Sequence, residues 1–122
     1  TQDGLNGTHQ TKLYASNISP IDIIRNEELV LLYAEANIPS NPTEAVKAID
    51  VIRSSAGLPA YSGASTEPAL IDELLNQRRY SFWCENHRMY DLRRYGKSLS
   101  LPIDRPGDQI FNIIPIPLTE NE

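Results

Sequence analysis

One cysteine, one methionine, one tryptophan and two histidines are all that this 122-residue chain offers of the residues richest in special chemistry. A lone Cys84 excludes any disulfide within the chain, so nothing covalent braces the fold. Its neighbours Phe82 and Trp83 predict an apolar setting, and free cysteine usually behaves there as an inert core thiol. Two histidines, His9 and His87, lie far apart in sequence, which argues against a zinc centre needing three protein ligands. No apolar run reaches the length of about 20 residues that spans a bilayer. No Gly-x-Ser-x-Gly elbow, phosphate-binding loop or dinucleotide fingerprint is present. The chain begins Thr1-Gln2-Asp3-Gly4 without a signal peptide, so we expect a processed or partial chain whose targeting signals lay upstream.

What remains is globular. Hydrophobic residues make up 40% and charged residues 22%, which fits one domain with a modest core. The net charge is −5, which disfavours nucleic acid and anionic lipid. Nine prolines punctuate the chain, near Pro39 and Pro42 and again from Pro102 to Pro117.

Residues 1–20 are polar, without a hydrophobic period, and read as an extended leader; Asn6 and Asn17 head N-x-Ser/Thr sequons. A first helix is predicted from Ile21 to Asn37, with Leu29, Leu32, Tyr33 and Ala36 on one apolar face and Val30, Leu31 and Ala34 on others. Pro39 ends it. The second helix has the clearest start: Asn41 as cap, Pro42 at the first helical position and Glu44 at the third. Ala45, Ile49, Ile52 and Ala56 line its stripe, and Gly57 and Pro59 stop it. The short linker predicts an antiparallel hairpin. Ser65 or Thr66 can cap a third helix with Pro68 in its first turn and Leu70, Leu74, Leu75 and Phe82 facing the core. That pattern runs too long for one helix, so a bend is expected near Asn86, dividing Pro68–Glu85 from His87–Tyr95, with Gly96 closing the last turn. Residues 110–114 read as a short strand before an extended Pro115-Ile116-Pro117. The fold class is mainly α: a tetratricopeptide-like hairpin, a long bent helix and a Pro-rich tail with little β.

The stretch Gln77 to Lys97 holds six basic and two acidic residues, interleaved with aromatics. Such a mix can bind single-stranded nucleic acid. The better reading is structural: Glu85 and Arg88, Arg88 and Asp91, and Asp91 and Arg94 are each three apart and can meet on a helix. Together with Arg78 they form an expected ion-pair network that braces packed helices, with Arg88 paired to Asp91. Glu85, His87 and Asp91 as metal ligands, and Glu85 with Asp91 as a glycosidase pair, are the competing chemical readings. Six residues apart on a helix, the two carboxylates fall on opposite sides. Trp83, Tyr80, Tyr90 and Tyr95 can stack on sugars, yet aromatics at helical spacing usually pack inward, and Trp83 beside Phe82 is assigned to the core. Tyr61, in a Pro/Ser/Gly loop, is the candidate for ligand contact.

Four segments in order then resemble one family. Ile24 to Ala36 is similar to the "R-x-A-E-x-x-L-x-x-A-E-A" helix of SusD/RagB proteins, and Ala45 to Leu58 to their "A-x-x-x-I-N-x-I-R-x-R-A-G-L" helix. Arg78-Arg79, Glu85, Arg88, Asp91-Leu92, Arg94 and Gly96 match "E-R-R-x-E-L-x-x-E-G-x-R-x-x-D-L-x-R-x-G". Ile114 to Pro117 resembles "Y-P-I-P", with Glu120 as the trailing acid. Gln77 and Ser81 replace glutamates, Asn86 a glycine and Met89 an aromatic. The resemblance implies that residues 21–122 are the carboxy-terminal helical part of a longer lipoprotein, anchored at the bacterial outer membrane through a missing amino-terminal segment. It implies non-catalytic capture of oligosaccharides for a SusC-like TonB-dependent transporter, with no cofactor, no metal and no nucleic-acid partner. The matched motifs are scaffold, so no ligand residue carries over. The alternative is a helical-repeat module that binds proteins.

Overall fold

The computed structural model describes residues 14–103 and 105–111, with the isolated positions 7, 12, 113, 116, 117 and 120. Four helices follow one another: α1 (Asn26–Asn37), α2 (Pro42–Ser55), α3 (Glu67–Ser81) and α4 (His87–Arg94), then a 3-10 turn at Ser98–Ser100. Among the described residues there is no strand. Ile110 and Phe111 are irregular: a strand needs a partner to take its backbone hydrogen bonds, and among the described residues there is none. Asn112, Ile114 and Pro115 lie outside the described residues.

The α2 boundaries follow from local chemistry. Asn41 accepts a hydrogen bond from the Glu44 N–H at 3.3 Å, and Pro42 occupies a position whose N–H would be unpaired anyway. At the other end Gly57 takes φ +72°, Leu58 N–H reaches Arg53 C=O at 2.9 Å and Gly57 N–H reaches Ser54 C=O at 3.0 Å. This paired closure needs a residue free of Cβ strain at the left-handed position. The same device ends α4: Gly96 sits at φ +65°, with Lys97 N–H to Leu92 C=O at 2.7 Å and Gly96 N–H to Arg93 C=O at 3.1 Å. Ala56 is exposed beyond the α2 stripe, and Ala48 takes the buried place instead. Thr66 does precede α3, but its hydroxyl makes no capping bond.

Helix α1 departs from the sequence reading twice. It begins at Asn26, because the preceding Ile21, Ile23 and Ile24 are stiff β-branched residues and Arg25 is held extended by its own side-chain partners. Its buried face is Leu31, Ala34 and the following Ile38, with Val30 packed beside them. Leu29, Leu32 and Tyr33, expected inside, are each just over half exposed. A helix apolar on several sides does not choose its inner face by periodicity, and the packing against α2 makes the choice.

The core joins α1, α2 and α3: Leu31, Ala34, Ile38, Ala45, Ile49, Ile52, Leu70, Leu74 and Phe82 form one cluster. Arg53 pins the α2 end, giving its Nε–H to the Pro59 carbonyl at 2.8 Å and Nη1 to Glu73 of α3 at 2.5 Å. Asp50 accepts the Tyr61 N–H at 2.7 Å, so the α2–α3 loop is tied to the helix it leaves.

Candidate functional site

The break between α3 and α4 organises the chemistry. Phe82 leaves α3 with φ −109° and ψ 39°, and Cys84 and Asn86 both adopt left-handed φ, 65° and 61°. Asparagine tolerates that conformation well, which is why Asn86 can stand at the bend. The helix has already ended at Ser81, so consecutive side chains here no longer follow a helical face: Phe82 is buried, its ring 4.8 Å from that of His87, while Trp83 next to it is 51% exposed. The placement of Trp83 in the core is thus corrected. So is the buried setting of Cys84, which is exposed because it lies on the outside of the turn rather than on a helical face.

Beneath the turn lies a layer of arginines. Arg78 Nε donates to Asp91 Oδ2 at 2.7 Å, both side chains almost wholly buried, and the guanidinium stacks 4.9 Å from the Phe82 ring centroid. Arg94 also reaches Asp91, Nη2 to Oδ1 at 3.3 Å, and forks onto Glu35 of α1 with Nη2 to Oε2 at 3.1 Å. Tyr95 donates its hydroxyl to the same Glu35 at 2.5 Å. Burial, then the Glu35 bond, pushes the Tyr95 phenol up to about 12. The Glu35 hydrogen bond likewise raises Arg94, outweighing its partial burial.

Arg78, Asp91 and Arg94 thus come together, whereas the other two expected members go elsewhere. Arg88 gives Nη1 to the Leu75 carbonyl at 3.1 Å rather than pairing with Asp91. Burial pulls its guanidinium below the ordinary value, helped by Arg79 and opposed by Asp91 at longer range. Glu85 pairs with Arg25 at 2.8 Å, and Arg25 also binds Glu27 at 2.9 Å and donates to the Ser81 carbonyl. Arg25, Glu35 and Tyr95 are members the sequence reading missed. Arg25 lies more than fifty residues from Ser81 and Glu85, and Glu35 as far from Arg94 and Tyr95, so helical spacing carries no trace of these contacts.

The arrangement suits bracing better than turnover. Asp91 is engaged by two guanidinium groups and Glu85 by one. Among the described residues no three of His, Cys, Asp and Glu converge as metal ligands; His87 turns to Phe82. Tyr61 closes its own loop: the hydroxyl donates to the Ala64 carbonyl at 3.0 Å, and the ring leans on the core cluster.

The open surface chemistry lies beside the turn. A cleft of about 740 Å³ runs between the end of α2 and the α3–α4 break, edged by Tyr80 and Trp83 and floored by Arg25, Glu27 and Glu85. Trp83 also borders a second cleft of about 480 Å³ with His87, Met89 and Leu101. Both volumes fall in the range of small-molecule sites.

No helix among the described residues is long and apolar enough to cross a membrane. No curated protein and no solved structure gives a significant match. The model of the SusD family matches residues 3–112, the span that contains the hairpin, the arginine-braced bend and the cleft. With nearly the whole chain covered and the matched arginines packed as scaffold, this protein belongs to the SusD family.

Proposed function

We propose that the chain is the helical carboxy-terminal part of a longer SusD-type lipoprotein that captures oligosaccharides at the bacterial outer membrane without cleaving them. Residues 21–122 are the helical unit and residues 1–20 its polar leader. Captured sugar passes to a SusC-like TonB-dependent transporter, and a lipid anchor upstream holds the protein at the cell surface. The observation that carries this reading is the family match over residues 3–112. The site chemistry agrees with it: the buried ionic groups brace the fold, and the cleft beside the bend offers the exposed rings of Tyr80 and Trp83 with hydrogen-bonding groups nearby.

The test is retention of the purified chain on a glycan array, with soluble sugar as competitor. Saturable retention that soluble sugar displaces is expected. Failure to hold any glycan, or release of reducing ends lost on Glu85→Gln, would remove the reading.

One observation favours a second reading, a helical module that binds other proteins. The outer face of α1 leaves Leu29, Leu32 and Tyr33 exposed side by side. Self-association or a partner that is lost on Leu32→Glu, with no glycan retention, would select it.

A further inference from the structure

The cleft edged by Trp83 has features that point to one class of ligand. Trp83 is the chain's only tryptophan, and the fold leaves half of it in water although burying a large aromatic is strongly favourable. The buried place is taken by the adjacent Phe82. Tyr80, from the last turn of α3, edges the same cleft and is 65% exposed. The segment presenting Trp83 is fixed on both sides. Arg25 holds the Ser81 carbonyl before it and the Glu85 carboxylate after it, and Glu85 N–H bonds the Phe82 carbonyl at 3.1 Å. With the backbone held on both sides, a ligand stacking on the ring has only side-chain torsions left to order.

The polar lining decides what can stack there. Arg25 has turned its amino groups to Glu27, Glu85 and Ser81, so its charge is already matched. Two carboxylates against one guanidinium leave the floor with a net charge of −1. Carboxylate oxygens accept hydrogen bonds from hydroxyls and repel anions. A flat π-face beside such acceptors suits the polarised C–H face and hydroxyl rim of a sugar ring. A peptide adding itself as a β-strand would need a sheet edge, and among the described residues no strand exists.

We propose that Trp83, with Tyr80 and the Arg25–Glu27–Glu85 floor, forms a subsite for one uncharged sugar ring of an oligosaccharide, and that it rejects acidic sugars. The proposal rests on the capture reading above and adds where a ring binds and which sugars are admitted. The single tryptophan supplies its own reporter. The purified chain is titrated with maltohexaose, xylohexaose and mannohexaose, and with hexagalacturonate as the acidic probe, following tryptophan emission and, in parallel, heat. At least one neutral hexasaccharide shifts the emission to shorter wavelength and saturates, with hexagalacturonate weaker by about tenfold or more, as a single repulsive contact of about 1.4 kcal/mol gives. Trp83→Ala, followed by heat alone, weakens the neutral sugar by roughly five- to hundredfold, the range for one lost stacking contact. Trp83→Phe restores part of that. Tyr80→Ala, read on Trp83 emission, weakens binding with the tryptophan intact.

Neutral sugar bound with unchanged affinity by Trp83→Ala and Tyr80→Ala would overturn the subsite while leaving glycan capture standing. Equal binding of hexagalacturonate would overturn the charge selection. No emission change and no heat with any of the neutral probes would overturn the subsite, and array retention would then decide the capture reading separately.

Discussion

Removing the Asp91 carboxylate tests the brace beneath the bend. Arg78 and Asp91 side chains are 8% and 6% exposed, and their contact is 2.7 Å long. Asp91→Ala leaves the Arg78 guanidinium shielded from water without its counter-charge. Stacking on Phe82 at 4.9 Å recovers only about 1 kcal/mol. Breaking a buried pair on one side costs about 3–5 kcal/mol, and we expect the lower end, about 3 kcal/mol. That is a large share of the roughly 5–15 kcal/mol that stabilises a domain. Urea unfolding followed by far-ultraviolet circular dichroism reads it as a midpoint lowered by about 1–3 M. Two controls separate burial from mere charge. Arg94→Ala removes a half-exposed partner of the same carboxylate together with its fork onto Glu35, and should cost less than Asp91→Ala because the guanidinium it removes is half in water. The double variant Arg78→Met, Asp91→Leu removes both charges and should recover most of the loss. A cost below about 1 kcal/mol for Asp91→Ala, or a double variant weaker than the single, would refute the reasoning.

Three further outcomes follow from named geometry. Asn86→Val puts a β-branched residue at φ 61° and should lose about 1–2 kcal/mol in thermal unfolding, whereas Asn86→Gly should be neutral or slightly stabilising. A Cβ at Gly63 would collide with the Tyr61 hydroxyl and ring, so Gly63→Ala should swing the ring away, break its bond to Ala64 and cost about 1 kcal/mol by melting. The Tyr95 phenol should ionise near 12 in an absorbance titration. Because its folded value lies above the ordinary 10, that contribution is complete below about pH 10 and is lost as pH rises through about 12. Glu35→Gln should lower the titration midpoint only part of the way, since burial is the larger cause.

Where the sequence speaks locally, it is read correctly. Asn41-Pro42, Gly57, Asn86 and Gly96 each act through their own backbone, and the α2 start, the α2 and α4 ends and the left-handed residue before α4 fall where those residues stand, whereas α3 stops at Ser81 rather than at the expected Glu85. The mainly helical fold and the SusD resemblance follow from such signals and hold. Where the answer depends on partners distant in sequence, it is hidden. The inner face of α1 is chosen by α2, and the anchor of Glu85 is Arg25. Trp83 shows the difference most clearly. Helical spacing puts it inward beside Phe82, but α3 ends at Ser81, so that spacing no longer applies at Trp83, which is half exposed. Arg88 fails for a related reason: three-residue spacing allows contact with Asp91, yet the Leu75 carbonyl of α3 offers a buried acceptor that only the folded pair of helices creates.

In the proposed role this protein holds sugar without changing it, on a scaffold whose buried ionic groups are engaged internally. Mass spectrometry of an oligosaccharide eluted from the immobilised chain after prolonged incubation tests it directly. Sugar retained on the chain and recovered at its original mass is the expected result. Shortened products, or sugar that passes through unretained, would contradict it.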